Sequence, residues 1–190
     1  MIRFEPPEEP PQFDSKVRAP GMRWLTNNPS STTRPPDHWN KCKGELADGF
    51  RSLCAYSAMY EPVGTVDHFV SCDEDRSLAY EWSNYRYAAA WINSSKQKLK
   101  ASQVLDPFEI GNDWFEIILP SLQLQVSDAL PESLRERAEF VLKRLHLRDD
   151  ERVIRQRREW YRMYQDGELT LEALRAKAPL VAAAIDKTHM

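Results

Sequence analysis

The stretch 65–96, TVDHFVSCDEDRSLAYEWSNYRYAAAWINSSK, decides how the rest of the chain is read. Thr65-Val66-Asp67-His68-Phe69 is short, apolar and β-prone, a polar loop follows it, and Tyr80, Trp82, Tyr85 and Tyr87 then crowd into eight residues. Asn93–Lys100 is polar with a helical pattern. The predicted order is a strand, an irregular polar loop, the aromatic cluster and a helix. The aromatic cluster has the look of a core and not of a base-stacking platform.

The same stretch holds the chemistry. Of the four histidines, His38, His68, His146 and His189, only His68 has candidate partners in order behind it: Asn84 at a spacing of 16 and Asn93 at 25. Asp67 precedes it. Oxygen donors from Asp67 and Asn93 suit a hard divalent ion, and a neutral imidazole with an ordinary pKa near 6.5 can take a proton from water. Neighbours on a regular strand point to opposite faces, so Asp67 and His68 can serve one phosphate only at a bend or strand end. Lys96, one turn after Asn93, is a candidate phosphate contact or a solvated helix lysine.

These residues resemble the ββα-metal core of HNH endonucleases, in the His-Asn-Asn variant found in the HNH domain of CRISPR effector nucleases. The matching pieces are Thr65–Phe69, Tyr80-Glu81-Trp82-Ser83-Asn84-Tyr85 and Ile92-Asn93-Ser94-Ser95-Lys96. The resemblance covers roughly residues 50–100. It implies Asp67 and Asn93 as ligands of one catalytic Mg²⁺ or Mn²⁺, His68 as general base, and Asn84 as the loop-bracing member of the catalytic set. It further implies cleavage of phosphodiester bonds in DNA more than in RNA, and a role in bacterial defence against phage or plasmids, in some cases beside an ATPase partner. A non-catalytic nucleic-acid- or protein-binding module on the same scaffold is the alternative, with a structural subunit docking through its helices as a further one. Many relatives carry two Cys-x-x-Cys pairs that hold a structural zinc. Here Cys54 remains, Ser57 takes the second position, and Ala89 and Ile92 stand where the second pair would be. Four Cys or His ligands are needed to close such a site, so structural zinc is not expected. Packing of Tyr56, Trp82, Tyr85, Tyr87 and Trp91 is expected to hold the core instead.

On the N-terminal side, eight of the thirteen prolines fall within residues 1–36. Proline removes backbone donors, so the expectation is an extended arm pinned by Trp24 and Leu25. Asp37 is a candidate cap for a helix that buries Trp39, Leu46, Phe50 and Leu53. On the C-terminal side, Trp114–Leu119 and Leu122–Val126 flank Pro120 as a hairpin. Leu134, Ala138, Val141, Leu142 and Leu145 then keep helical spacing. A second helix over Asp149–Tyr164 ends at Gly167, and Thr170 caps a third that Pro179 should kink or split. The expected fold class is α+β: an arm over 1–36, a ββα-metal nuclease core with its hairpin over 37–128, and a C-terminal helical bundle over 129–190.

The chain has 190 residues and a net charge of −3, so nucleic-acid binding needs a local basic patch. Residues 135–162 supply one candidate, with ten Lys/Arg against six Asp/Glu and with Arg155, Arg157 and Arg158 clustered. These arginines either track a phosphate backbone or form salt bridges along a helix face. Three cysteines make no disulfide framework, no apolar run is long enough for a bilayer, and the acidic, proline-rich start is unlike a secretory leader. A cytoplasmic protein with no membrane association is expected.

Overall fold

The computed structural model describes residues 1–188; His189 lies outside the described residues. The chain is mixed helix and sheet, in agreement with the α+β expectation. Its centre is an antiparallel pair, β1 (Thr65–His68) and β2 (Tyr85–Ala88), in register Asp67↔Arg86 and His68↔Tyr85. A helix, α3 (Ala90–Lys96), follows β2 immediately and lies along the free edge of β1. The carbonyls of Val66 and His68 point out of that edge. Asn93 Nδ2 donates to the first and Lys96 Nζ to the second, so two polar side chains of α3 satisfy a strand edge that would otherwise be buried without partners.

The N-terminal segment corrects one expectation. Residues before Gln12 are extended, but Asp14–Arg18 form a wide π-type turn that runs straight into α1 (Ala19–Asn27). A proline ring clashes with the carbonyl four residues back, and the wide turn just ahead of Pro20 is where that clash is relieved. The segment is core rather than tether. Met1, Phe4, Phe13 and Val17 are buried, and Phe13 sits edge-on to Trp82 at 5.3 Å and Tyr85 at 5.8 Å. Gly21 brings α1 directly onto the Tyr80 ring, where an added Cβ would come within 2.3 Å of the ring carbon. Trp24 takes the guanidinium of Arg76 over its ring, and Leu25 packs against the core.

The predicted helix after Asp37 is split into a 3₁₀ turn, His38–Cys42, and α2 (Lys43–Gly49). Asp37 makes no capping bond to the backbone. Trp39, Leu46, Phe50 and Leu53 are all buried as expected. The hairpin forms as β3 (Phe115–Ile118) and β4 (Gln123–Val126), joined through Pro120. It is followed by α4 (Glu132–Arg144), α5 (Glu151–Gln165), α6 (Leu171–Lys177) and α7 (Pro179–Thr188). Thr170 Oγ1 caps α6 by accepting from Ala173 N at 3.1 Å, Gly167 has φ +74°, and Pro179 begins a new helix instead of kinking an old one.

The C-terminal helices are not a self-contained bundle. α4 packs on β4 and α7 on β3, so the hairpin belongs to their layer, and the expected boundary at 128/129 runs through packed structure. One apolar cluster extends from Met1 through Leu147 to Ala184, with a smaller one formed by Leu174, Ala178, Val181, Ala182 and Ile185. Among the described residues no helix is long and apolar enough to cross a membrane.

Candidate functional site

β1 carries His68 at its last position, where the chain leaves the strand. The imidazole is 8% exposed and wedged edge-on between Trp39, at 4.5 Å, and Tyr85, at 5.1 Å. Its Nε2 lies 2.9 Å from the carbonyl oxygen of Ala79. A carbonyl only accepts, so Nε2 carries the proton, and the neutral ring keeps its lone pair on Nδ1. Burial drives the pKa below the ordinary histidine value, with Arg34 and Lys96 pushing the same way against the Ala79 hydrogen bond and Asp67. The ring is therefore neutral near pH 7.

Asn84 is buried and held by three hydrogen bonds. Its Oδ1 accepts from Val70 N at 2.8 Å, and its Nδ2 donates to Val70 O and Leu78 O at 3.0 and 3.1 Å. It staples the two ends of the 70–78 loop and so fixes the Ala79 carbonyl that orients His68. Its part is to position: both Nδ2 protons and an Oδ1 lone pair are committed to the loop backbone.

Asp67 is buried on the strand between two donors. Tyr56 Oη donates to Oδ2 at 2.6 Å, and Lys96 Nζ meets Oδ1 at 3.0 Å. Burial, then the neighbouring carboxylate, hold the Tyr56 pKa well above its usual value, so the phenol stays a donor. Lys96 corrects an expectation. It is 1% exposed, and its three N–H groups go to Asp67 Oδ1, His68 O and Phe69 O. It has no donor left for a phosphate. The reason is geometric: the face of α3 that carries Asn93 also carries Lys96, and that face lies on β1.

Asn93 is half-buried, and its Nδ2 donates to Val66 O at 3.3 Å. This turns Oδ1 the other way, and among the described residues no donor reaches it. Asp67, His68 and Asn93 all line one cavity of about 510 Å³, whose wall also includes Thr32–Pro35, Ser71–Asp73, Arg76 and, at the end of α3, Gln97 and Lys98. Among the described residues no group of three or more His, Cys, Asp or Glu side chains is placed to share a metal ion. Asn93 Oδ1, which meets no donor among the described residues, and the remaining lone pairs of Asp67 are oxygen donors of the kind a hard ion takes, with the Lys96 ammonium already beside Asp67 Oδ1.

No protein-family model matches this chain, and no curated protein matches it.

At the positions where many relatives carry cysteines, Cys54, Ser57, Ala89 and Ile92 are all buried, and Ala89 N donates a weak hydrogen bond to Cys54 Sγ at 3.4 Å.

The expected basic patch divides. Arg157 is a second correction: it is 1% exposed and donates to the carbonyls of Leu122, Leu147 and Arg148, which ties α5 to the hairpin. Burial lowers its pKa to about 10. Its position on α5 is one turn after buried Val153, so the spacing that put it near Arg155 and Arg158 in sequence faces it inward. Arg158 is exposed, and Arg155 is exposed beside Glu151 at 3.8 Å. Neither lies in the His68 cavity.

Two features escaped the sequence reading. Arg86 is buried in β2, bridges to Asp106 at 2.6 Å and sits 3.6 Å over the Phe108 ring. A charged residue between Tyr85 and Tyr87 in an apolar strand was the available signal. Arg34 and Arg76 reach the cavity from outside the 65–69 and 80–96 motifs, and nothing in local pattern announces that.

Proposed function

We propose that this chain hydrolyses phosphodiester bonds in nucleic acid, DNA first, with His68 as general base and with Asp67 and Asn93 holding a divalent ion. The observation that carries the reading is His68 itself: a neutral imidazole, its tautomer set by Ala79 O, in a cavity that also holds an uncommitted amide oxygen and unpaired arginine charge. A water on Nδ1 gives up its proton to the ring as it attacks phosphorus. Trp39 and Tyr85 keep the ring from swinging, and Asn84 keeps the Ala79 carbonyl in place. When bound, the ion supplies stabilisation of charge on the phosphate and on the leaving oxygen. Asp67 arrives pre-oriented by Tyr56 and Lys96, and Asn93 by Val66 O.

Nicking of supercoiled plasmid with Mg²⁺ or Mn²⁺ tests this. General-base catalysis contributes roughly 10²–10⁴-fold, so His68→Ala should lose about that much rate, and Asn93→Ala should lose activity that added metal partly restores. Wild-type rates in both variants would overturn the assignment. One observation favours a second reading, a binding module without catalysis: the Lys96 ammonium cancels the charge of the Asp67 carboxylate, the one acidic group proposed to hold the ion. DNA binding with no nicking under either metal is the outcome that selects it.

A further inference from the structure

We infer that Arg34 and Arg76 form a clamp for a backbone phosphate, and that the N-terminal segment thereby completes the His68 site. The ligand's identity as nucleic acid rests on the hydrolase reading; the clamp rests on independent geometry. Arg34 is exposed on the cavity wall and, among the described residues, makes no hydrogen bond or ion pair. Its guanidinium stands 5.5 Å over the ring of Trp39, the same ring whose edge meets His68 at 4.5 Å. One aromatic side chain therefore positions both the free cation and the base.

Arg76 lines the same cavity from the 70–78 loop. Its Nη2 donates to Thr33 O at 3.0 Å and its guanidinium lies 5.0 Å over Trp24. Its Nε is enclosed, and its Nη1 makes no hydrogen bond among the described residues, so the guanidinium is not saturated. Tyr80 Oη donates to Pro36 O, so the 33–36 strap is pinned at both ends by residues of the loop that leads to β2. The cavity, about 510 Å³, falls in the range that encloses a small molecule and takes one phosphate with its adjoining sugars. Guanidinium suits this task because its planar fork meets phosphate oxygens in pairs.

The test uses the full chain carrying His68→Ala, so that no cleavage intervenes, and follows fluorescence anisotropy of a labelled single-stranded oligonucleotide as salt rises from about 50 to about 200 mM. Arg34→Ala should weaken binding roughly tenfold and flatten the log–log salt slope by about 0.7, the value of one single-strand phosphate contact. Arg34→Lys should keep the slope while losing part of the affinity, because charge remains and the fork does not. Arg34 is exposed, so the unfolding midpoint should stay at the parent value. Unchanged affinity and slope in Arg34→Ala would overturn the clamp. So would displacement of the oligonucleotide by a nucleoside monophosphate at equal concentration, which would assign the arginines to a small phosphorylated ligand. Binding with these slopes in a wild-type chain that never nicks plasmid would sink the hydrolase reading alone. Nicking with wild-type kcat and KM in Arg34→Ala would sink the clamp alone.

Discussion

Lys96→Met separates a buried brace from a surface phosphate contact. Methionine fills the volume of the lysine stem and removes only the ammonium. Three acceptors then lose their donor: Asp67 Oδ1 at 3.0 Å, His68 O at 2.6 Å and Phe69 O at 3.1 Å. Asp67 would keep Tyr56 as its sole partner while its side chain is 3% exposed. Breaking one side of a buried pair costs about 3–5 kcal/mol, and the stranded edge carbonyls of β1 add to that, so about 4 kcal/mol is a lower working figure. Against a total stability of about 5–15 kcal/mol, this is a large fraction. With a urea slope of about 2 kcal/mol/M, the midpoint followed by tryptophan fluorescence should fall by about 2 M. Adding Asp67→Asn to Lys96→Met should recover part of the loss, because the second change removes the unpaired charge that the first leaves behind. A shift within the ~0.5 kcal/mol typical of surface substitutions would show that Lys96 is solvated and that the brace is wrong.

Asn84→Ala should destabilise by about 2–4 kcal/mol, since Val70 N, Val70 O and Leu78 O all lose their partner, and plasmid nicking by the folded fraction should fall with it; an unchanged denaturation midpoint would refute the staple. Asp150 caps α5 by accepting from Arg152 N, and its hydrogen bonds from the Arg152 side chain and backbone hold its pKa down to about 2. A carboxyl depressed in the folded state stabilises fully above its unfolded pKa and loses that contribution as pH falls through the folded one. Asp150→Ala should therefore cost about 1 kcal/mol at neutral pH, and the gap from wild type should close as pH drops from about 4 towards about 2; a gap independent of pH would exclude the cap.

Much of the fold was readable because it rests on local rules. Short β-prone runs marked β1 and the β3–β4 hairpin and three-and-four spacing marked α4 to α7, while Gly167, Thr170 and Pro179 marked helix ends, each through a backbone property that needs no distant partner. The order Asp67, His68, Asn84, Asn93 likewise needed only the chain, and these positions fall on β1, on the 3₁₀ turn just before β2, and on α3. Side-chain direction was a different matter. Lys96 and Arg157 look like solvent-facing cations by composition, and only the packing of α3 on β1 and of α5 on the hairpin sends them inward, where backbone carbonyls replace water. The proline-rich segment shows the same limit. Its composition argues for extension, yet burial of Val17, and of Phe13 against Trp82 and Tyr85, stabilises a helix across Pro20, and the segment after it carries Arg34 to the wall of the His68 cavity. Identity and order of the reactive groups are properties of the linear chain; which of them meets solvent is set by contacts between residues far apart in it, and those exist only once the core has closed.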